Sequence, residues 1–339
     1  MVRAWWAAGA GVLAMVVAGC AGAGATGTTG TGGAVKGDAV LDKAVGILQE
    51  QFRSGDAAAR ANCVEGMQSL FDPRSTAMIH DALEDPEWVV RFAGAMAAGR
   101  RKLEELKPTL SRLMTGDANG SVRAAAAYAL GRMGDSGHDD VIRAALVDAD
   151  PGVRANAALV LGIAGDRGVL DLLRQRAAAE RDERVRLEIT GALARLGDPE
   201  ARRVIVAQAM SKYGEDEWMA MDVCGDLGGD GTAARALLLG LEDAPKQAGP
   251  DVRPLTVTRQ LVAARSLARL GSIEGANVAV IHLTDPDPQL RGLAALALGE
   301  ILSPIGAQQR LGPLLTDGDA VVRRAAAAAV VKVYVRAAR

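Results

Sequence analysis

The chain has 339 residues, of which 49% are hydrophobic and only 3% aromatic, and its formal net charge is -2. Apolar content drawn mainly from alanine, leucine and valine favours closely packed helices over sheets, which are richer in aromatic and β-branched side chains. The nearly balanced charge, without a long run of Lys or Arg, argues against nucleic acid as a partner.

The first twenty residues have the pattern of a targeting segment. A basic start at Arg3 precedes an apolar stretch at 4–17, and small residues lead to Cys20. The sequence VAGC at 17–20 resembles the lipobox of bacterial lipoproteins, and the resemblance implies that residues 1–19 are a signal peptide and that Cys20 is acylated. Two alternatives stay open: an uncleaved transmembrane anchor, and a secretory signal in which the cysteine is incidental.

Residues 20–37 are dominated by Gly, Ala and Thr and carry too little apolar side chain to pack, so they predict a flexible tether. Acyl chains on Cys20 would hold the folded part on a membrane. Because Ala21 stands where inner-membrane lipoproteins carry Asp, the resemblance implies the outer membrane, with the protein facing the periplasm of a bacterial cell envelope.

From residue 38 to the C-terminus the chain repeats one unit. Its clearest copy, 117–134, runs from an acidic residue through a short turn, Val-Arg and an alanine run to Leu-Gly and a closing Gly. The arginine slot recurs at intervals of 31 or 32 residues, with one interval of 43. A period of this length indicates stacked supersecondary units instead of a single globular core. The slots are Arg60, Arg91, Arg123, Arg154, Arg186, Glu217, Gln260, Arg291 and Arg323.

Each unit predicts two helices separated by a turn. In the fourth, helical apolar spacing at 139–147 is followed by a break at 148–152 and a second helix at 153–163. Either Asp148 or Asp150 suits the helix cap. Glycine recurs at two positions of the repeat unit, one that ends the second helix and one that lets neighbouring helices approach closely. Left-handed caps are expected at Gly134, Gly165, Gly197, Gly228 and Gly271, and close helix approach at Gly99, Gly131, Gly162, Gly225 and Gly299.

An acid six residues before an arginine, a preceding Val and an alanine-rich second helix together resemble HEAT repeats, most closely the short type associated with phycobilisome lyases. The resemblance implies an all-α fold, a right-handed α-solenoid of about nine helical hairpins over residues 38–339. In the family, acid and arginine form a ladder of hydrogen bonds linking adjacent units. The matching pairs are Asp85 and Arg91, Asp117 and Arg123, Asp148 and Arg154, Glu180 and Arg186, Asp285 and Arg291, and Asp317 and Arg323.

Two consecutive units depart from this pattern. The sixth has Ser211 and Glu217 in the paired slots, and the seventh has Pro254 and Gln260. The long interval places an insertion at 242–254, which its prolines and glycine predict to be a loop.

The helix face opposite the predicted core is expected to line a concave surface. Met96, Tyr128 and Leu159 recur on it in successive units, and an exposed apolar stripe of this kind marks a partner surface. Trp88 and Trp218 lie near turns and are further candidate interface anchors, although each could instead cover the end of its own helix.

No catalytic, cofactor or metal site is predicted: the three histidines lie in separate units, and the repeat itself accounts for the carboxylates. The sequence therefore predicts a non-catalytic envelope lipoprotein that binds a protein or an extended peptide. The alternatives are an architectural spacer and, by resemblance to the phycobilisome relatives, a lyase-like or enzyme-accessory subunit.

Overall fold

The computed structural model describes residues 38–211, 215–229, 231–242 and 252–339. Those residues form eighteen α-helices and four short 3-10 turns, and they contain no strand, so the predicted all-α class is confirmed. The signal peptide, Cys20 and the tether lie outside the described residues. So does most of the insertion at 242–254, whose last three residues belong to a helix.

The helices are numbered in chain order. They are α1 Ala39–Ser54, α2 Ala57–Met67, α3 Pro73–Leu83, α4 Trp88–Arg101, α5 Lys107–Gly116, α6 Gly120–Arg132, α7 Asp139–Ala145, α8 Pro151–Ala164, α9 Leu170–Ala179, α10 Glu183–Arg195, α11 Pro199–Gln208, α12 Glu215–Cys224, α13 Thr232–Gly240, α14 Val252–Arg269, α15 Ala276–Ile281, α16 Pro288–Gly299, α17 Pro304–Arg310 and α18 Ala320–Ala337.

The described residues divide into two compact units, where the sequence predicted one domain over 38–339. The first unit comprises residues 56–68 and 73–205. In it the second helices α2, α4, α6, α8 and α10 pack side by side in succession, and the first helices α3, α5, α7 and α9 each pack on the second helix of the same hairpin. The hairpin is therefore the packing element of this unit.

The second unit contains residues 206–339 together with α1 and residues 69–72. Its second helices α12, α14, α16 and α18 again pack in succession, and α14, α16 and α18 each pack with the first helix of the same hairpin. By sequence α1 is the first helix of the first repeat, yet in the structure it packs lengthwise on α18, the last helix of the chain. A repeat that interacts only with its sequence neighbours does not predict this contact.

An apolar stripe and polar contacts at both ends join α1 to α18. The buried stripe of α1 has helical spacing and consists of Leu41, Ala44, Val45 and Leu48. At one end the Tyr334 hydroxyl donates to Asp38 over 2.6 Å, and at the other Gln51 donates to the Ala320 carbonyl over 3.1 Å. Arg324 donates to Gln51 over 2.7 Å. The two helices are thus antiparallel.

The contact between Tyr334 and Asp38 shifts the pKa of both groups. Burial, followed by the hydrogen bond to Asp38, raises the pKa of Tyr334 to about 12. The same hydrogen bond lowers the pKa of Asp38, against a smaller opposing effect of burial. Asp38 is therefore ionised and Tyr334 protonated across the physiological pH range.

Three of the glycines predicted at close helix approaches lie against the second helix of the following repeat. A Cβ added at Gly99, Gly162 or Gly299 would come within 2.8 to 2.9 Å of the Cα of Ala129, Ala192 or Ala329. The other two differ: Gly131 has open space, and Gly225 lies against the Arg269 side chain. The absent side chain therefore sets the helix separation at only some repeats.

Replacing glycine by alanine at equivalent slots should therefore change the free energy of unfolding in opposite directions. Gly162→Ala should lower the free energy of unfolding by about 1–3 kcal/mol, because the new methyl overlaps the α10 backbone. Gly131→Ala, one repeat earlier, should raise it by about 0.5–1 kcal/mol through helix propensity. Urea unfolding of both variants and the wild type checks this, and effects of the same sign would contradict the assigned close approach.

Four of the five predicted left-handed caps have a positive φ: Gly134, Gly165, Gly197 and Gly271. The fifth prediction is wrong by one residue, since Gly229 and not Gly228 has the positive φ. Within the described part of the chain, no helix is long and apolar enough to cross a membrane.

Candidate interaction surface and its ion-pair ladder

Five repeat turns contain two acidic or amide side chains with different tasks, at 117 and 119, 148 and 150, 180 and 182, 285 and 287, and 317 and 319. The first, such as Asp117, accepts the N–H of the residue two positions later over 2.9 Å. The second, Asn119 in this turn, accepts the N–H of Ser121 and caps the second helix. In the fourth repeat these tasks fall to Asp148 and Asp150, so Asp150 is the cap.

The slot arginine joins two consecutive turns. Arg91 donates to the carbonyl of Asp85 in its own turn over 2.8 Å, and to the two carboxylate oxygens of Asp117 in the next turn over 2.6 and 3.0 Å. The acid of the same repeat thus supplies its carbonyl, and the acid of the following repeat supplies its carboxylate. The same carboxylate rung joins Arg60 to Asp85, Arg154 to Glu180 and Arg291 to Asp317.

The rungs from Arg91 and Arg154 favour the ionised form of their carboxylates. Hydrogen bonds from Arg154 lower the pKa of Glu180 to about 2, although burial opposes the shift. For Asp117 burial is the largest influence and raises the pKa, but Arg91 and the backbone N–H of Asn119 outweigh it and lower the pKa overall. A bidentate arginine is suited to this role because its two parallel donors match a carboxylate.

Other slot arginines make different contacts. Arg123 and Arg323 donate to the carbonyls of Asp117 and Asp317 in their own turns over 2.8 and 2.7 Å. Arg186 lies 3.5 Å from the exposed Glu183, since Ser211 replaces the acid of the next turn. The ladder is therefore interrupted after the fifth repeat.

The sixth and seventh repeats use different pairs. Glu217, in an arginine slot, accepts from Arg259 over 2.7 Å, which reverses the usual order of charges. Gln260 donates to the Leu241 carbonyl over 3.0 Å. Asp285 is the acid of the eighth repeat, which in the ladder pattern would pair with the seventh slot. It is buried and lies 2.8 Å from Nδ1 of His282. Sequence comparison identified the altered slots but could not identify these partners, because each lies outside the repeat pattern.

A buried ion network crosses the second unit. Arg269 on α14 donates to the carboxylate of Asp222 on α12 over 2.7 Å and also to the Asp222 carbonyl, and it lies 3.7 Å from Asp226. Burial would lower the pKa of Arg269, but Asp222, Asp226 and Glu300 outweigh burial and raise it. The guanidinium is charged at every accessible pH.

The network continues to α18 through Glu300, which follows α16. Its carboxylate lies 2.7 Å from Lys332 on α18 and 3.5 Å from Arg265 on α14. Burial would raise the pKa of Glu300, but these two cations lower it. This network was not predicted from the sequence. Its signal is the slot nine residues after the arginine slot, where charge alternates along the last four repeats: Asp226, Arg269, Glu300 and Lys332.

The predicted concave stripe is buried, so its assignment as an exposed partner surface is wrong. Met96 is 2% exposed, and Tyr128 and Leu159 are each 5% exposed. A ring carbon of Tyr128 lies 3.0 Å from the Cβ position of Gly99, so this slot faces the preceding second helix. The prediction assumed that one face of each second helix meets water, but Val89 to Gly99 are buried all round except at Arg91.

The two tryptophans are also poorly placed as anchors. Trp218 is buried on α12, and Trp88 is half-buried at the first residue of α4. The three most exposed large apolar side chains of the described residues lie instead on or beside the first helices of the second unit. Ile273, before α15, and Ile305, on α17, are 74% and 68% exposed, and each stands eighteen residues before its arginine slot. Ile281, at the end of α15, is also exposed.

The described residues bring together no three His, Cys, Asp or Glu side chains that could hold a metal ion. Cys63 and Cys224 are both buried thiols. The charged side chains described above are engaged in the ladder and the network, so the arrangement can position helices and present a surface.

A family model described as HEAT repeats matches residues 45–131 and, in a second overlapping copy, 108–194. Together the two matches span residues 45–194. The predicted α-solenoid of HEAT-like hairpins is thereby confirmed as the fold class. The rungs at Arg60, Arg91 and Arg154 all lie within the matched HEAT repeats. The finer resemblance, to the phycobilisome-lyase type, stays a prediction.

The chain is also similar to several solved structures, at low identity and with TM-scores below 0.5. Human deoxyhypusine hydroxylase, in complex with glycerol, is 18% identical with a TM-score of 0.35, over 87% of this chain and 97% of that chain. One engineered protein is 17% identical with a TM-score of 0.29, over 76% and 95%. Another is 15% identical with a TM-score of 0.30, over 96% and 99%. No curated protein matches the chain in sequence.

Proposed function

We propose that the protein is a non-catalytic, lipid-anchored scaffold of the bacterial cell envelope that binds another protein or an extended peptide. HEAT repeats in general mediate protein–protein interaction. The single observation that carries the proposal is the repeated exposure of isoleucine at one register of consecutive repeats, at Ile273 and Ile305. Side chains that recur at a fixed register on a preorganised scaffold bind a partner at little ordering cost.

The binding surface lies on the first helices and not on the second ones. The second helix α4 is buried on nearly all sides, whereas Ile273, Ile281 and Ile305 expose large apolar side chains on or beside first helices. Exposed apolar groups clustered among polar ones are typical of interaction surfaces. An architectural spacer has no use for them, which favours the binding scaffold over the spacer.

The isoleucines provide the test of partner binding. The double variant Ile273→Asp, Ile305→Asp should lose proteins that cross-link to the wild type in intact envelopes. The control is Val147→Asp, an equally polar change at another exposed apolar residue, which should retain them. Quantitative mass spectrometry of the cross-linked proteins measures the difference. Equal recovery with the double variant and the control would favour the spacer.

The anchor at Cys20 is tested separately. A fatty-acid analogue supplied to growing cells should label the wild type and leave Cys20→Ala unlabelled, because acylation needs the thiol of Cys20. Cys20→Ala should also move from the membrane to the soluble fraction, since several acyl chains are needed for stable anchoring. Labelling that persists in Cys20→Ala would overturn the lipid anchor and leave the partner proposal standing.

A further inference from the structure

Helix α1 is joined covalently to one compact unit and packed within the other. The division between the units falls between Gly55 and Asp56, directly after α1, and α1 belongs to the second unit with residues 206–339. The chain therefore starts its described part in the unit that also contains its C-terminus. An element with this placement can be exchanged between copies, because its contacts do not depend on which chain supplies it.

The connection after α1 is short, and both flanking helices are capped independently. The Gly55 N–H donates to the Gln51 carbonyl over 2.9 Å and ends α1. The Asp56 side chain accepts the Ala59 N–H over 2.7 Å and begins α2. A change of backbone dihedrals at these two residues can therefore swing α1 outward while α1 and α2 each keep their ends satisfied. Domain swapping exchanges an element across a hinge loop of this kind.

The surface of α18 recognises α1 in a defined orientation. Leu41, Val45 and Leu48 of α1 are fully buried or nearly so, and polar contacts at Asp38 and Gln51 set the antiparallel direction. These contacts combine an apolar stripe with hydrogen bonds at its two ends, which specifies both the partner helix and its register.

We propose that α1 of one molecule docks on α18 of a second copy, giving a helix-exchanged dimer. The exchange keeps every contact between α1 and α18 and changes only the connection at Gly55 and Asp56. The partition between the closed monomer and the dimer then depends on the effective concentration of α1 at its own α18, on the order of millimolar for a short connection. Dimers form once the local protein concentration approaches that value.

Two complementary variants test the exchange in the full-length chain, with Cys20→Ala in every sample so that acylation plays no part. Leu48→Asp places a carboxylate in the buried stripe and disables α1 as a donor. Tyr334→Asp places a carboxylate beside Asp38 and disables α18 as an acceptor. In a mixture, α1 of the second variant can dock on α18 of the first without intramolecular competition.

The mixture, with a different affinity tag on each variant, should give heterodimers at least about tenfold above the background of either variant mixed with itself. Circular dichroism checks that each variant keeps its helix content. The tag-free wild type supplies an independent measurement: its dimer fraction by light scattering should rise on the order of 20-fold between about 10 µM and about 1 mM. A wild type that stays monomeric at both concentrations, with no heterodimer from the mixture, would overturn the exchange.

Discussion

Replacing Arg269 by methionine should lower the free energy of unfolding by about 3–5 kcal/mol. The change leaves two buried carboxylates, Asp222 and Asp226, without the cation that lies between them. Removing one member of a buried ion pair costs this much because the remaining charge stays away from water. Urea unfolding followed by circular dichroism measures the loss.

The control is Arg112→Met, which breaks the exposed ion pair with Glu84. Exposed pairs contribute at most about 1 kcal/mol, since water and salt screen both charges. Adding Asp222→Leu to Arg269→Met should restore part of the stability, because an apolar pair replaces the unpaired carboxylate. If Arg269→Met costs no more than Arg112→Met, the network does not stabilise the second unit.

Acidification from about pH 5 to about pH 2 should remove about 3 kcal/mol of stability through Glu180. Its pKa is about 2 in the folded protein, against an ordinary value of 4.5. The unfolded chain therefore binds the proton first, so the stabilisation is complete above the ordinary value and is lost as the pH falls through the folded value. Glu180→Gln should show a flatter dependence of unfolding free energy on pH over this range.

The matched control is Glu183→Gln. Glu183 is three residues after Glu180, at the first position of α10, and its side chain is exposed. It should keep the wild-type dependence on pH. Urea midpoints at several pH values between about 2 and about 6 separate the two variants. Identical pH profiles for Glu180→Gln and the wild type would show that the Arg154 rung does not hold the carboxylate ionised.

The acid and arginine slots of the repeat could be predicted because the residues that define them are close together in the sequence. The acid at Asp117 and the arginine at Arg123 stand six residues apart in one turn, so their spacing identifies the slots directly. The ion pair that links one repeat to the next was harder to predict from the sequence. Arg91 donates to the carboxylate of Asp117, which is 26 residues away, and only the stacking of two hairpins brings the two together.

The predicted partner surface failed for a related reason. Periodicity assigned Met96 to the face opposite the core. The side chains of an alanine-rich helix are short, however, so neighbouring helices approach closely and cover nearly the whole circumference of α4. The exposed isoleucines were missed because a single apolar residue beside a short first helix is indistinguishable by pattern from a core residue. Their shared register became meaningful only with their exposure.

The amino-acid sequence is sufficient to predict the hairpin repeat, the slots of the ladder and most of the glycine caps, because each depends on residues within one or two turns of the chain. The tertiary structure alone decided that α1 packs on α18, that charges from four repeats meet around Arg269, and which apolar side chains remain exposed. These features depend on which helices become neighbours. That outcome sums many weak contacts between similar alanine-rich surfaces, and no single stretch of sequence encodes it.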